Sequence, residues 1–435
     1  MGAVAVVAYV FRTMTIALQT LDAVERRLEL DDLRGWDPYD GLCAPLFALP
    51  VLRSNRLVRY GAQQVVKRSR WNLRPVLRVP RQLNPVSIGL YLQGQSQRAI
   101  GDPDSLEWRR QKVQTALERL ASGVTPGYRG SCWGYPFDWE TRYGSAPAGT
   151  PTVVATGMIA NGLWHVHQAF GSERARELLL SAAEFIFHDL PRIEMADGTF
   201  CWTYGPGSRQ AVVNATLKGS RLLAQAHALG GREDLLPAAA QSVRFALAHQ
   251  LPSGAWPYSL SDRRTDNFHT GYVLECLRAY RRQSGDHSAD EAIERGWTYY
   301  RQNLFTADGT PKYYDNRVDP LDATACAQAI VTLCEFGDTA AAESVAELAM
   351  RQLALPDGSF AYQRRGNRTV RIPFVRWSTA WMYCALSRLA VVSQTRAHQT
   401  GRHTDATGSP GAPYRPNSRA RGTGAAVPAG RGAGS

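Results

Sequence analysis

A glycine followed closely by aromatic side chains recurs through most of this chain, and that recurrence limits the possible folds more than any other feature. Gly254-Ala-Trp256-Pro-Tyr258 has counterparts in Gly198-Thr-Phe200-Cys-Trp202-Thr-Tyr204, Gly309-Thr-Pro-Lys-Tyr313-Tyr314 and Gly358-Ser-Phe360-Ala-Tyr362. Weaker copies stand at Gly130-Ser-Cys-Trp133-Gly-Tyr135 and Gly35-Trp36-Asp-Pro-Tyr39. The four strong glycines lie 56, 55 and 49 residues apart. Such a period marks a repeat architecture, in which each unit buries one face against the next.

The 435 residues could form two or three average domains, but a closed array of repeats holds them in one, and one domain is expected. Between the aromatic turns runs a second rhythm: Gly101-Asp102, Gly171-Ser172, Gly230-Gly231, Gly285-Asp286 and Gly337-Asp338. Glycine just past a helix adopts the left-handed conformation, and Asp or Ser can then cap the next helix, so each pair predicts a tight corner. The helices after the corners, near 104–122, 173–190, 233–250, 289–304 and 339–354, are charged and amphipathic and suit an outer layer. Those before the corners are rich in small residues and poor in charge all round, as in the run 150–170, and suit an inner ring. With a first pair at 14–30 and 86–100, the chain reads as all-α: an (α/α)6 toroid of six helical hairpins with a disordered C-terminal tail. The expected boundaries are a frayed N-terminus at 1–13, the toroid at 14–392 with a basic insertion at 51–83, and the tail at 393–435, whose Gly, Pro, Arg and Ala cannot form a core. The long outer-to-inner connections hold every aromatic turn, so function is expected where they gather, at one end of the ring.

The net charge of +12 is concentrated in two places. Residues 51–83 hold nine Lys or Arg and no acid, and residues 394–435 hold six Arg against Asp405, so the repeat body is near neutral. Basic residues interleaved with Leu52, Leu57, Val58, Val65, Val66 and Trp71 suit contact with an anionic membrane surface or a membrane enzyme, while a solvated flap is the plainer reading. No nucleic-acid module accompanies them, and no nucleic-acid partner is expected. Seven scattered cysteines without CxxC spacing fit reduced thiols. The apolar N-terminus is too short to span a bilayer and lacks a basic leader, so a cytoplasmic protein is expected, peripheral to the inner face of the membrane if the insertion binds there.

Gln250-Leu-Pro-Ser-Gly254-Ala-Trp256 reads Q-x3-G-x-W and resembles the repeat motif of terpenoid cyclases, with a looser copy from Gln352 to Phe360. The whole pattern resembles the α/α-toroid superfamily shared by terpenoid cyclases, protein prenyltransferases, lanthionine cyclases and six-hairpin glycosidases, lyases and epimerases. The runs 133–142, 150–163 and 266–280 look most like uncharacterised toroid proteins of bacterial exopolysaccharide clusters. There is no DxDD or DDxxD acid, since Asp31-Asp32 stops at Gly35, and no Cys-His-Gly element, which argues against terpene and lanthionine cyclases. The resemblance implies an association with polysaccharide biosynthesis rather than a defined reaction.

Inner helices start at the long-loop end and point their positive N-termini at its mouth. Aromatic faces there suit sugars, which gives Trp133, Tyr135, Trp139, Tyr204, Trp256, Tyr258 and Tyr313 as substrate-binding candidates, against the plainer reading that such rings plug the gaps between hairpins. Asp138 and Glu140 are candidate acid and base on a glycosidic bond, with Arg142 beside them, or else a loop-fixing ion pair. Asp266 or Asn267 caps an inner helix that carries His269, a candidate proton-transfer group, one turn in. Tyr314 and Asp322 complete the catalytic candidates, and Arg376 and Trp377 add a cation and a ring able to hold a sugar carboxylate. Asp322, Cys326 and His269 could alternatively form a zinc set, but no metal or other cofactor is expected. The expected function is a carbohydrate-active protein of exopolysaccharide biosynthesis that binds an oligosaccharide or sugar-linked, glycolipid-like carrier and acts as lyase, hydrolase or epimerase. The alternatives are a non-catalytic scaffold for a membrane glycosyltransferase and an isoprenoid-handling enzyme.

Overall fold

Tight corners between apolar and amphipathic helices dictate the architecture. In the computed structural model, residues 17–141 and 144–405 are described, with side chains to Arg396. Helix α1 covers residues 17–30. A basic rim segment follows, with α2 (Pro50–Ser54) and α3 (Arg56–Arg68). The remaining helices are α4 (Pro85–Gly101), α5 (Leu106–Ser122), α6 (Val153–Phe170), α7 (Glu173–Glu184), α8 (Val213–Ala228), α9 (Leu235–Ala248), α10 (Asn267–Ser284), α11 (Asp290–Asn303), α12 (Ala323–Glu335), α13 (Thr339–Leu353) and α14 (Ala380–Asp405).

Twelve of these helices make six hairpins. Helices α4, α6, α8, α10 and α12 pack each against the next, and their residues are buried on nearly every face. Helix α14 closes the inner ring: Tyr383 stacks on Tyr91 of α4 with ring centroids 5.7 Å apart, and the Tyr383 ring fills the space left by Gly94. Helices α1, α5, α7, α9, α11 and α13 form the outer layer and bury one face only, as their charged opposite faces require. Two of the five expected corners are built as the sequence predicts. Ser172 and Asp338 follow left-handed Gly171 and Gly337 and accept from the N–H groups of Ala175 and Ala341. Gly101 is instead the last helical residue of α4, without a left-handed turn, and α5 begins only after a 3-10 turn at Pro103–Ser105.

Short antiparallel strands stitch the long connections together. Strand β1 (Arg34–Gly35) pairs with β2 (Gln82–Leu83), β3 (Trp139–Glu140) with β4 (Ser145–Ala146), and β5 (Arg192–Glu194) with β6 (Phe200–Trp202). Strand β7 (Leu321–Asp322) pairs with β8 (Gln363–Arg365), which pairs with β9 (Arg368–Val370). The Q-x3-G-x-W motif acquires a physical reason. Gln250 donates to the carbonyls of Gly254 and, across the hairpin boundary, Ala292 at 2.8 Å, while Arg295 donates to Gln250 Oε1. Gly254 has φ 91°, and a Cβ there would stand 2.5 Å from the Arg295 carbonyl of α11. Gly358 sits in the same way against Ala23 of α1, so the last turn rests on the first outer helix and the ring is complete.

The basic segment is docked on the rim rather than standing off as a flap. Arg59 binds Asp138 and Glu140, both at 2.8 Å, Gln63 exchanges two backbone hydrogen bonds with Glu140, and buried Arg74 binds Asp40 at 2.6 Å. Residues to Gln394 form one unit and Thr395 onward a second. Helix α14 continues to Asp405, so the first residues of the tail expected to be disordered are helical; the rest of that tail, like the frayed start, lies outside the described residues. No described helix is long and apolar enough to cross a membrane.

Candidate active site

The aromatic turns converge. In four of the six, the ring two residues before the tyrosine is buried between hairpins: Trp133, Trp202, Trp256 and Phe360 are at most 2% exposed. Trp133 and Trp256 donate their indole N–H to the Leu120 and Ala246 carbonyls of the preceding outer helices, each at 2.9 Å. The tyrosine two residues further on then emerges at the mouth. Tyr39, Tyr135, Tyr204, Tyr258, Tyr313 and Tyr362, one from each turn, line a single cavity of about 330 Å³. Trp139, Tyr314, Trp377 and Trp381 extend this aromatic wall. Burial holds the Tyr204, Tyr258, Tyr313 and Tyr362 hydroxyls well above the ordinary phenol range, so they are neutral donors and acceptors.

Within this wall stands one proton-transfer pair. Asp266 caps α10, accepting from the His269 backbone N–H at 2.8 Å, and its other oxygen meets His269 Nδ1 at 2.5 Å. A carboxylate only accepts, so Nδ1 carries a hydrogen, and in the neutral ring Nε2 is the nitrogen with the lone pair. The ring lies against Tyr258, centroids 4.7 Å apart, and lines the cavity. Asp266 is 6% exposed, so solvent competes little for this contact.

The two arginines at the mouth come already paired with carboxylates. Arg264 is bound by Asp262 and donates to Tyr314 Oη at 3.3 Å. Both Arg376 nitrogens facing Asp37 are engaged, at 2.6 and 3.0 Å, which keeps the guanidinium charged despite burial. Lys67 donates to Tyr39 Oη at 2.6 Å. The wall is therefore close to neutral and rich in hydroxyls.

Several residues singled out in the sequence do not reach this cavity. Asp138 and Glu140 turn to Arg59; burial would raise Asp138's carboxyl, but Arg59 holds it below the usual carboxylate range, and Glu140 is 2% exposed. They form the loop-fixing alternative rather than an acid–base pair at the mouth. Asp322 is the buried cap of α12, accepting from the Thr324 and Ala325 backbone and from Gln363. Asn267 joins the Leu304 carbonyl to the Tyr300 hydroxyl in the core. Trp133 and Trp256 are plugs, and Arg142 lies outside the described residues. Arg376 does line the mouth, but Asp37 occupies the face meant for a sugar carboxylate. Among the described residues no three His, Cys, Asp or Glu side chains could hold a metal, which removes the Asp322, Cys326 and His269 zinc set. Sequence reasoning missed Asp37, Lys67, Asp262 and Arg264 as site residues. Only Tyr39, in the weakest repeat, carried a signal.

No family model matches the chain, and no curated protein matches it. Solved structures do. The cellobiose 2-epimerase of Bacillus thermoamylovorans superposes with a TM-score of 0.56 at 10% identity, covering 73% of this chain and 90% of that one. The GH76 α-mannanase of Bacteroides thetaiotaomicron gives 0.56 at 10% identity, covering 73% and 88%. The fold is the six-hairpin α/α toroid. An unsaturated glucuronyl hydrolase specific for heparin shares this toroid with a TM-score of 0.51 at 12% identity, covering 74% of this chain and 90% of its own.

Proposed function

We propose that this toroid is a carbohydrate-active enzyme that holds an oligosaccharide against its ring of tyrosines and moves a proton with His269. The observation that carries the reading is the Asp266–His269 contact of 2.5 Å in the wall of a cavity lined by tyrosines from all six turns. The epimerase, mannanase and glucuronyl hydrolase named above support a carbohydrate ligand. Hydrolysis by two carboxylates fits poorly, since Asp262 and Asp37 are tied to Arg264 and Arg376 and Asp266 to His269. Proton transfer at a sugar carbon fits better. His269 Nε2 takes the proton from the carbon beside a carbonyl, Asp266 steadies the imidazolium, and a neutral tyrosine hydroxyl donates to the developing enolate oxygen. Return of the proton to the other face gives epimerisation; loss of a neighbouring leaving group gives a lyase. The near-neutral wall favours a neutral saccharide over a uronate. An isoprenoid would need an apolar lumen, and this one holds Lys218, Arg221, Glu275, Gln93 and Asn161.

The test is to incubate the full chain with a panel of neutral reducing disaccharides in D2O and follow the sugar protons by NMR. Deuterium entering at the carbon beside the anomeric centre, or an unsaturated product, is expected, and His269→Gln should abolish it. An active protein indifferent to His269→Gln, or no reaction with any saccharide while the protein is folded, sinks the reading; the second outcome favours the non-catalytic scaffold.

We also propose that the basic segment rests on an anionic membrane surface, which would bring a lipid-linked saccharide to the mouth and fit a place in exopolysaccharide biosynthesis at the inner membrane face. Of thirteen exposed large apolar side chains among the described residues, eight lie between Leu46 and Val76, so the patch is local rather than scattered. Residues 41–101 contain no acid, and Arg53, Arg56, Arg68 and Arg70 flank the exposed Leu57 and Trp71. Lys67 and Arg59 of the same helix reach the mouth and its rim. Sedimentation with phosphatidylserine-containing vesicles should capture the protein, and Leu57→Asp with Trp71→Ala should release it. Equal sedimentation with purely zwitterionic vesicles, or none with either, removes the proposal.

A further inference from the structure

The lumen has a second chamber. Two to three turns further along the inner helices, on the side of their C-terminal ends, lies a cavity of about 440 Å³. A layer built from Met158, Trp381, Lys218 and Tyr272 separates it from the tyrosine mouth and leaves only about 10 Å³ of space. Nothing in the proposed reaction uses this chamber.

Its charges do not balance. Arg278, Arg282 and Arg388 all reach one carboxylate, Glu335: Arg278 at 3.4 Å, Arg388 at 3.5 Å and Arg282 in direct contact. The other acid in the wall, Glu275, is bound by Arg221 at 2.7 Å. Three guanidiniums facing one carboxylate leave a surplus of positive charge in a partly enclosed space. Arg388 also donates to Gln97 Oε1, and a guanidinium can only donate, which fixes the orientation of the Gln97 amide. Its Nε2 therefore donates to His165 Nδ1 at 3.3 Å, so the hydrogen of neutral His165 sits on Nε2. Burial and then Arg388 lower the His165 pKa to about 3, so that neutral form holds across the physiological range.

Acceptors and a flat face complete the lining. Gln225, 2% exposed, gives its Nε2 to Asn161 at 3.1 Å, and its Oε1 has no partner among the described residues. Trp164 provides an indole wall. Neutralisation of helix C-termini could account for Arg282, in the last turn of α10. It does not account for Arg388, which lies inside α14, or for Arg278, more than a turn before Ser284.

We propose that this second chamber binds a small phosphorylated, hydroxylated molecule of the sugar-phosphate class. The three guanidiniums and the His165 Nε2–H take the phosphate, the side-chain amides of Gln93 and Asn161 in the lining take hydroxyls, and Trp164 covers a ring face. Guanidinium pairs suit phosphate oxygens geometrically, and the chamber lies within the usual size range of small-molecule sites.

Isothermal titration of the full chain with glucose 6-phosphate, inorganic phosphate and glucose tests this. Glucose 6-phosphate should bind more tightly than inorganic phosphate, glucose should not bind in the chamber, and affinity should fall with added salt. Arg282→Gln, at an exposed position that folding tolerates, and the double variant Arg278→Gln with Arg388→Gln should each weaken binding, by about tenfold or more for the double variant. His269→Gln should leave it unchanged, which separates this chamber from the mouth. Equal affinity for inorganic phosphate and the sugar phosphate reduces the site to a plain anion site. Absence of phosphate binding, or binding untouched by Arg282→Gln in a folded protein, overturns the proposal.

Discussion

At the scale of single residues, the chemistry rests on one histidine held by one carboxylate. His269→Gln should lower turnover by about 10²- to 10⁴-fold, the usual weight of a general base, with little effect on the melting temperature because the ring is partly exposed in the cavity wall. Asp266→Asn should also slow turnover while leaving a cap on α10, since an amide oxygen still accepts from the His269 N–H. Kinetics alongside thermal melts separate the two roles. Lys218 gives a pH signature. The residue is 1% exposed, its ammonium lies 3.6 Å from the centre of the Tyr272 ring, and burial lowers its pKa from 10.5 to about 8. Between those values the unfolded chain binds the proton and the folded one does not, so Lys218 makes stability rise with pH across that window. Lys218→Met should flatten that rise and raise stability at neutral pH, as read by urea denaturation from pH 7 to 10.

At the scale of elements, the repeated turn divides its rings between packing and display. The glycine sets the chain direction, the first ring seals the hairpin and the tyrosine two residues later faces the mouth. Glycines of this turn are not equivalent. Gly254 and Gly309 have φ 91° and 81°, so alanine strains the backbone at both, but only at Gly254 would the new Cβ meet a backbone carbonyl, 2.5 Å away. Gly309→Ala should cost about 1 kcal/mol and Gly254→Ala clearly more, by chemical denaturation. The sequence made these glycines visible as a repeat. It could not show which of them touches a neighbouring helix, since that contact joins residues of different hairpins. The same limit explains Asp138 and Glu140: their spacing suggests a catalytic pair, and the arginine that claims them lies about eighty positions earlier, in a segment that stands outside the repeat.

At the scale of the whole molecule, closure depends on α1, the outer helix that must meet both the first and the last hairpin. Buried Glu25 of α1 binds Arg109 of α5 at 2.8 Å and Arg98 of α4 at 2.9 Å and accepts from Gln95 at 2.8 Å. Burial would raise its pKa, but the two arginines prevail and lower it. Its contribution is thus present at neutral pH and fades as pH falls below its ordinary value of 4.5. Glu25→Ala leaves Arg109, 1% exposed, without its counter-charge and should cost about 3–5 kcal/mol, with a somewhat smaller loss at pH 4, where the unfolded chain already takes up the Glu25 proton and part of the wild-type contribution has gone. Denaturation at pH 7 and pH 4 measures both. The sequence by itself determined the number of hairpins, the division into inner and outer helices and the gathering of aromatic turns at one end, because these follow from local periodicity, corner residues and connection length. Only the tertiary structure decided which polar groups reach the lumen and which are spent on neighbours, because partners such as Arg376 with Asp37, 339 positions apart, meet only when the ring closes.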